Sequence, residues 1–170
     1  MTMYSHPGPP TRTTGVAQAA HGRVRVNAVV TLVLAALTVW TLTLPWASYS
    51  GESGDLHWSG FDVMNNNSGQ LSDSSANSVD CLHALQWIGV ALIVVSVLRL
   101  LAPAVRMAWL GAVLGLGLLV SAVAALAQFH QSLQNGGVFA PSMQAGPVVA
   151  AVAALLCLAA GVGGLVAERP

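Results

Sequence analysis

The chain is expected to be an all-α membrane protein, a four-transmembrane-helix bundle with a small external β-hairpin after the first helix. Three observations predict this. Only 7% of its 170 residues are charged, and 55% are hydrophobic, with a mean hydropathy of +0.68. A soluble domain needs about 25% charged residues to cover its surface. The apolar residues fall into four long runs, and arginine is confined to alternate flanks of those runs.

The first run, from about Val26 to Trp46, holds about 20 residues without a charge, enough to cross ~30 Å of hydrocarbon. The others run from about His83 to Leu101, Val105 to Ala127 and Gly146 to Val166–Ala167. Pro147 suits the first turn of the last, where a missing N–H costs nothing. Trp40, Trp46, Trp87 and Trp109 fall near the ends of these runs, where an amphipathic ring favours the interface. These boundaries leave a tail over 1–24, a membrane domain over 25–170, and two external loops over 47–82 and 128–145.

Orientation follows from arginine. All six basic residues are Arg. Arg12, Arg23 and Arg25 precede the first span, Arg99 and Arg106 bracket the turn between the second and third, and Arg169 follows the fourth. The positive-inside rule places both termini and that turn in the cytoplasm of a multi-pass protein of the cell membrane. Five of the six acidic residues, Glu52, Asp55, Asp62, Asp73 and Asp80, lie between the first and second spans. A cleaved signal peptide ending near Ser48 or Ser50 is the rival reading. Its apolar core would span roughly 7–15 residues, shorter than the run observed, and the preceding tail is long and proline-rich.

Outside the spans, residues 1–24 carry Pro7, Pro9 and Pro10, several Thr and few bulky apolar groups, and are expected to be disordered. Between the first two spans, the stretch from Tyr49 to Val63 has two aromatic-bearing runs separated by Gly51-Glu52-Ser53-Gly54-Asp55, a hairpin signal. The following stretch, Asn65 to Ser78, is Asn/Ser-rich and expected to be a mobile loop; Asn66-Asn67-Ser68 fits a glycosylation sequon that a bacterial protein would leave unused. After the third span, Gln128, Gln131 and Gln134, with Phe129 and Leu133, recur at helical spacing. The helix is therefore expected to project about two turns beyond the bilayer, with Phe129 and Leu133 leaning on the hairpin.

Reactive chemistry is sparse. No Asp, Glu or Lys lies within a span, although proton relays and ion paths ordinarily place an ionisable group there. Arg99 stands near a span end, from which its head could snorkel to water. Thr31, Thr38, Thr41, Gln86, Ser96 and Ser121 are expected to bond backbone carbonyls or other helices. Glu52, Asp55, His57 and Asp62 form the densest ligand-type cluster, but their spacing matches no metal motif, and a solvated hairpin explains them; no metal and no cofactor is expected. Cys81 and His83 lie two apart, on different sides of a helix. Cys81 and Cys157 are expected at different depths, which excludes a bond between them. Zero net charge argues against nucleic acid.

The strongest positive signal is a helix-packing face. In the fourth span Ala150, Ala154, Cys157, Gly161 and Gly164 form one stripe, opposite Val148, Val152, Leu155, Leu158, Val162 and Leu165. Ala108, Gly111 and Gly115 form a similar stripe in the third span. Small faces let helices approach closely in lipid, where packing drives association. This supports a non-catalytic membrane protein, an accessory or interaction subunit whose partners are the lipid bilayer and a membrane protein or a second copy. The alternative is a component of a transporter or pore assembled as an oligomer; an enzyme using the external loop is a third class.

A first span ending Leu44-Pro45-Trp46, a hairpin closing at Trp58-Ser59-Gly60-Phe61-Asp62 and three further spans resemble small four-span actinobacterial membrane proteins of unassigned function. The all-Arg, Ala-, Val-, Leu- and Gly-rich composition points the same way. The external hairpin is also similar to that of claudin-like tetraspans. Those place two Cys after the Trp of this loop, whereas only Cys81 stands here, so no residue roles are carried over.

The arginine bias predicts that, in a Cys-free background, a membrane-impermeant reagent on intact cells leaves Cys introduced at Gly8 or Pro103 unlabelled. Labelling at either position refutes the orientation.

Overall fold

The computed structural model describes residues 13–51, 54–65, 76–103, 107–135 and 142–168. The sequon and most of the expected mobile loop lie outside them. Helix α1 covers Thr13–Trp40, strands β1 and β2 cover Pro45–Gly51 and Gly54–Ser59, and a short helix α2 covers Gly60–Asn65. Then come α3 (Ala76–Leu101), α4 (Ala108–Asn135), strand β3 (Ser142–Met143) and α5 (Ala145–Ala167). The four long helices are each long and apolar enough to cross a membrane, over His21–Thr43, Asp80–Leu101, Ala108–Gln131 and Ala145–Ala167. They close a ring in which α1 packs on α3, α3 on α4, α4 on α5 and α5 on α1.

The distribution of side chains is that of a protein solvated by lipid. Val29, Val33 and Leu37 on α1, Val90 and Val94 on α3, Val113 and Val120 on α4, and Val152 and Leu155 on α5 are all exposed. The interior is built largely from Ala, Gly, Thr and Ser, with a few Leu. Water would reject such an exterior, whereas hydrocarbon accepts it, leaving close packing rather than apolar burial to hold the helices together. Thr31, Thr38 and Ser96 donate to the carbonyls of Asn27, Leu34 and Leu92, each one turn back, so these hydroxyl protons are satisfied within their own helices.

Two sequence expectations change at the ends of α1. The helix starts at Thr13, so residues 13–24, expected as disordered tail, are helical; Ala17-Gln18-Ala19-Ala20 supplies high intrinsic propensity there. It also ends earlier than the apolar run. After Trp40 a single 3₁₀ turn over Thr41–Thr43 leads into Leu44, whose φ of −73° and ψ of 158° are extended, as a residue before proline favours. Trp46 therefore lies on β1 rather than at a helix end. Instead of anchoring at the interface it is completely buried, while Trp40, Trp87 and Trp109 are exposed.

The hairpin is antiparallel, pairing Ala47 with Trp58 and Gly51 with Gly54, and β3 adds to the free edge of β1 to give the order β2-β1-β3. The register slips between Pro45 and Ala47, a bulge that sets Trp46 out of the ladder. The ring enters the bundle mouth, where Trp46 Nε1 donates to Thr41 O at 2.8 Å and its ring meets Phe129 at 5.7 Å and 59°. A Cβ at Gly146 would stand 2.5 Å from Trp46 Cδ1, and one at Gly60 3.0 Å from Trp46 Nε1. Two glycine backbones thus press on one indole. The contact with Phe129 depends on α4 continuing past Ala127, and the helix runs on to Asn135, about two turns beyond it.

The end of the hairpin expectation, Gly60 to Val63, is helical instead. Ser59 and Asp62 form a capping box. Ser59 N and Oγ donate to Asp62 Oδ2 at 2.9 and 2.7 Å, and Asp62 N donates to Ser59 Oγ at 3.1 Å. These bonds, side chain first, hold the Asp62 carboxyl below its ordinary range. The S-x-x-D spacing is a helix-start signal that outweighs the strand pattern before it.

The tightest helix pair is α4 against α5. A Cβ at Gly161 would lie 2.8 Å from Gly111 O and 2.9 Å from Ala112 Cα, and one at Gly115 2.9 Å from Leu158 Cα. These neighbours are backbone atoms and cannot swing aside. Gly161→Leu should therefore force α4 and α5 apart and lower the thermal midpoint in detergent by several degrees. Val162→Leu, at an exposed neighbouring position, should be nearly silent. Equal midpoints for both variants and the wild type would show that the close approach carries no stability.

Candidate functional site

The most elaborate polar structure is at the arginine end of the bundle. Arg99 occupies the last turn of α3, one helical residue pair short of the Ala102-Pro103 turn. It does not snorkel outward: it is 1% exposed and turned into the bundle. Its Nη1 donates to Asn27 Oδ1 of α1 at 3.2 Å, and its Nη2 to Glu168 Oε1, just past α5, at 3.2 Å. The second carboxylate oxygen, Glu168 Oε2, accepts the backbone N–H of Ala108 at 3.2 Å, at the start of α4. Asn27 Nδ2 donates to Ala160 O of α5 at 2.8 Å. Four hydrogen bonds among three side chains and two backbone groups thereby tie all four long helices together.

The electrostatics explain the arrangement. A carboxylate at the C-terminus of α5 faces the negative end of the helix dipole, an unfavourable place. Glu168 is held there by the guanidinium and by the N-terminus of α4, where the dipole favours an anion and Ala108 N–H has no partner within its own helix. The Arg99 charge, removed from water, requires this partner. Arg99 Nε remains without a hydrogen-bond partner among the described residues, as does Gln128 Oε1 on α4.

All eight residues of the expected packing face are buried. Gly111, Gly115 and Gly161 lie between α4 and α5, as the distances above show. Gly164 serves the polar cluster: a Cβ there would lie 2.7 Å from Asn27 Oδ1 and 3.0 Å from Arg99 Nη2. A Cβ at Gly111 would lie 3.8 Å from the same guanidinium, and Ala108 contributes the amide that Glu168 accepts. Ala150, Ala154 and Cys157 join the core nearer the hairpin end and the middle, where Cys157 Sγ and Thr38 Oγ1 are 3.7 Å apart across α5 and α1. Cys157 and Cys81 are free thiols.

The hairpin end offers an open groove of 380 Å³ lined by Thr43, Pro45, His57, Ser59, Asp62 and Gln144. Gln144, which follows β3, is fixed there by two bonds to β1: its Nε2 donates to Ser48 Oγ, and its backbone N–H donates to Trp46 O at 3.1 Å. Of the acidic cluster weighed as cation ligands, Asp62 is engaged by the Ser59 cap, and the side chains of Glu52 and Asp55 lie outside the described residues. Among the described residues no three His, Cys, Asp or Glu side chains come together.

Asn27 and Glu168 are the site residues that sequence reasoning passed over. A signal was present: a lone Asn in the first span, an Arg ending the second and a lone Glu after the fourth all fall at the same expected depth.

No family model, no curated protein and no solved structure matches the chain. Its likeness to small four-span membrane proteins is one of topology, carried by four helices able to span a membrane.

The cluster predicts a specific cost pattern. Glu168→Ala, which leaves a buried guanidinium unpaired, should destabilise the protein by about 3 kcal/mol or somewhat more. The double variant Arg99→Met with Glu168→Ala should recover much of that loss in a thermodynamic cycle of detergent unfolding. Additive losses would show that the two side chains do not act as a pair.

Proposed function

We propose that the protein is a non-catalytic integral membrane protein, an accessory or interaction subunit of a membrane complex. The observation that carries this reading is the use made of buried polar groups. Thr31 and Ser96 are spent on their own helices, Thr38 on its own helix and on Cys157, and Arg99, Asn27 and Glu168 on one another. A transport path or catalytic centre instead presents polar groups to an open cavity. The helix faces left uncovered are Val- and Leu-rich, which suits contact with lipid or an apolar partner and does not suit the wet wall of an oligomeric pore.

The small-residue faces of α4 and α5 meet each other, so a partner would contact other surfaces. The three-stranded cap with its groove is the suitable polar one, and the arginine bias directs it away from the cytoplasm, with both termini inside. Support for an accessory role comes from this division: a rigid bundle, closed at one end by an ion pair and at the other by a buried tryptophan, presenting a shaped cap.

Affinity purification of the full chain in mild detergent, followed by sizing and identification of associated chains, tests the reading. A stoichiometric complex that survives dilution and is weakened by Gln144→Ala or His57→Ala is expected. A monodisperse monomer, unaffected by either substitution, counts against it.

A further inference from the structure

A second groove, of 560 Å³, opens sideways between α1 and α5 at the arginine end. It is lined by Gly22, Arg23, Val26, Asn27 and Val30 of α1 and by Ala160 of α5. Positions 23, 26, 27 and 30 follow the i, i+3, i+4, i+7 spacing of one helix face. The groove exists because α5 offers no bulk opposite that face. Ala160 has only a methyl group, and a Cβ at the exposed Gly163 would meet only Asn27 Nδ2, at 3.6 Å.

The lining is segregated along its length. Arg23 stands exposed at the outer end, and among the described residues it makes no ion pair. Val26 and Val30, 66% and 45% exposed, form an uncovered apolar wall running toward the middle of the bundle. Near this end the one carboxylate among the described residues, Glu168, is already engaged by Arg99. A ligand that satisfies the whole groove needs an anionic head and an apolar body, and needs to arrive from the side. A free anion would leave the valines bare, and an apolar helix would leave the guanidinium unmatched.

We propose that this groove is a binding site for one anionic phospholipid, its phosphate on Arg23 and an acyl chain along Val26, Val30 and Ala160. Basic pockets between helices near the membrane surface recognise anionic headgroups by this chemistry. Asn27 belongs both to the groove and to the Arg99–Glu168 cluster, so an occupied groove restrains α1 against α5 where the cluster ties them. Binding therefore stabilises the fold.

The test uses the purified, delipidated full chain in a neutral detergent, with native mass spectrometry and thermal unfolding as readouts. Phosphatidylglycerol should persist as a single adduct and raise the midpoint, with phosphatidylcholine about tenfold weaker and inorganic phosphate without effect. Arg23→Gln should abolish the preference for phosphatidylglycerol. Arg25→Gln, an exposed arginine two residues on that does not line the groove, should preserve it. Ala160→Leu should remove the adduct while leaving the lipid-free midpoint close to that of the wild type. Equal losses from Arg23→Gln and Arg25→Gln would reduce the effect to general surface charge and overturn the proposal. So would an adduct retained by Ala160→Leu, an equal response to inorganic phosphate, or a dimer that Ala160→Leu dissociates, which would assign the groove to a second copy.

Discussion

A guanidinium withdrawn from water among apolar helices is the constraint around which the arginine end is organised. Arg99 cannot be left unpaired there, and its pairing enlists every long helix: Asn27 from α1, Glu168 beyond α5 and, through Glu168, the first amide of α4. The arrangement then dictates residue size nearby. Gly164 must lack a side chain because Asn27 and Arg99 occupy the space, and Gly161 must lack one because the backbone of Gly111 and Ala112 does. One buried charge thus links all four long helices and limits residue size at Gly164.

The opposite end is closed by different physics. There the constraint is volume, and Trp46 fills the bundle mouth with its single polar atom satisfied by Thr41 O. The β1 bulge makes this possible by releasing Trp46 from the strand ladder, and Gly60 and Gly146 make it possible by letting backbone approach the ring. The cap is consequently bound to the bundle through the indole as well as through chain connectivity. Between the two closures the interior is mainly small side chains, whose contribution is the contact of backbone with backbone. In hydrocarbon this is a larger source of cohesion than apolar burial.

These features bear on function in one direction. Among the described residues Thr31, Ser96, Asn27, Arg99 and Glu168 bond within the bundle, and this is the support for the accessory role proposed above. What distinguishes its surface is therefore local: the polar groove on the cap and the amphipathic groove beside α1. Each pairs a defined shape with a small set of polar groups, and they stand at opposite ends of the molecule.

Much of the architecture was legible from residues alone because it rests on local properties. An apolar run of about 20 residues implies a spanning helix wherever it occurs, and small residues at helical spacing mark a face that can approach another. The extension of α4 past Ala127 was readable for the same reason, since Phe129 and the Gln residues repeat at helical spacing. Of the clasp only the shared depth of Asn27, Arg99 and Glu168 was readable; their pairing was not, because Arg99 lies 72 residues from Asn27 and 69 from Glu168, and nothing local says that an arginine near a helix end turns inward. Trp46 misled for a related reason. An aromatic at the end of an apolar run suits an interface, but Pro45 ends the helical path, and only the paired strands aim the ring into the bundle. Composition and periodicity determined by themselves that there are four helices and which faces are small. Tertiary structure decided which polar groups are buried, because the free energy of burying one depends on partners distant in the chain.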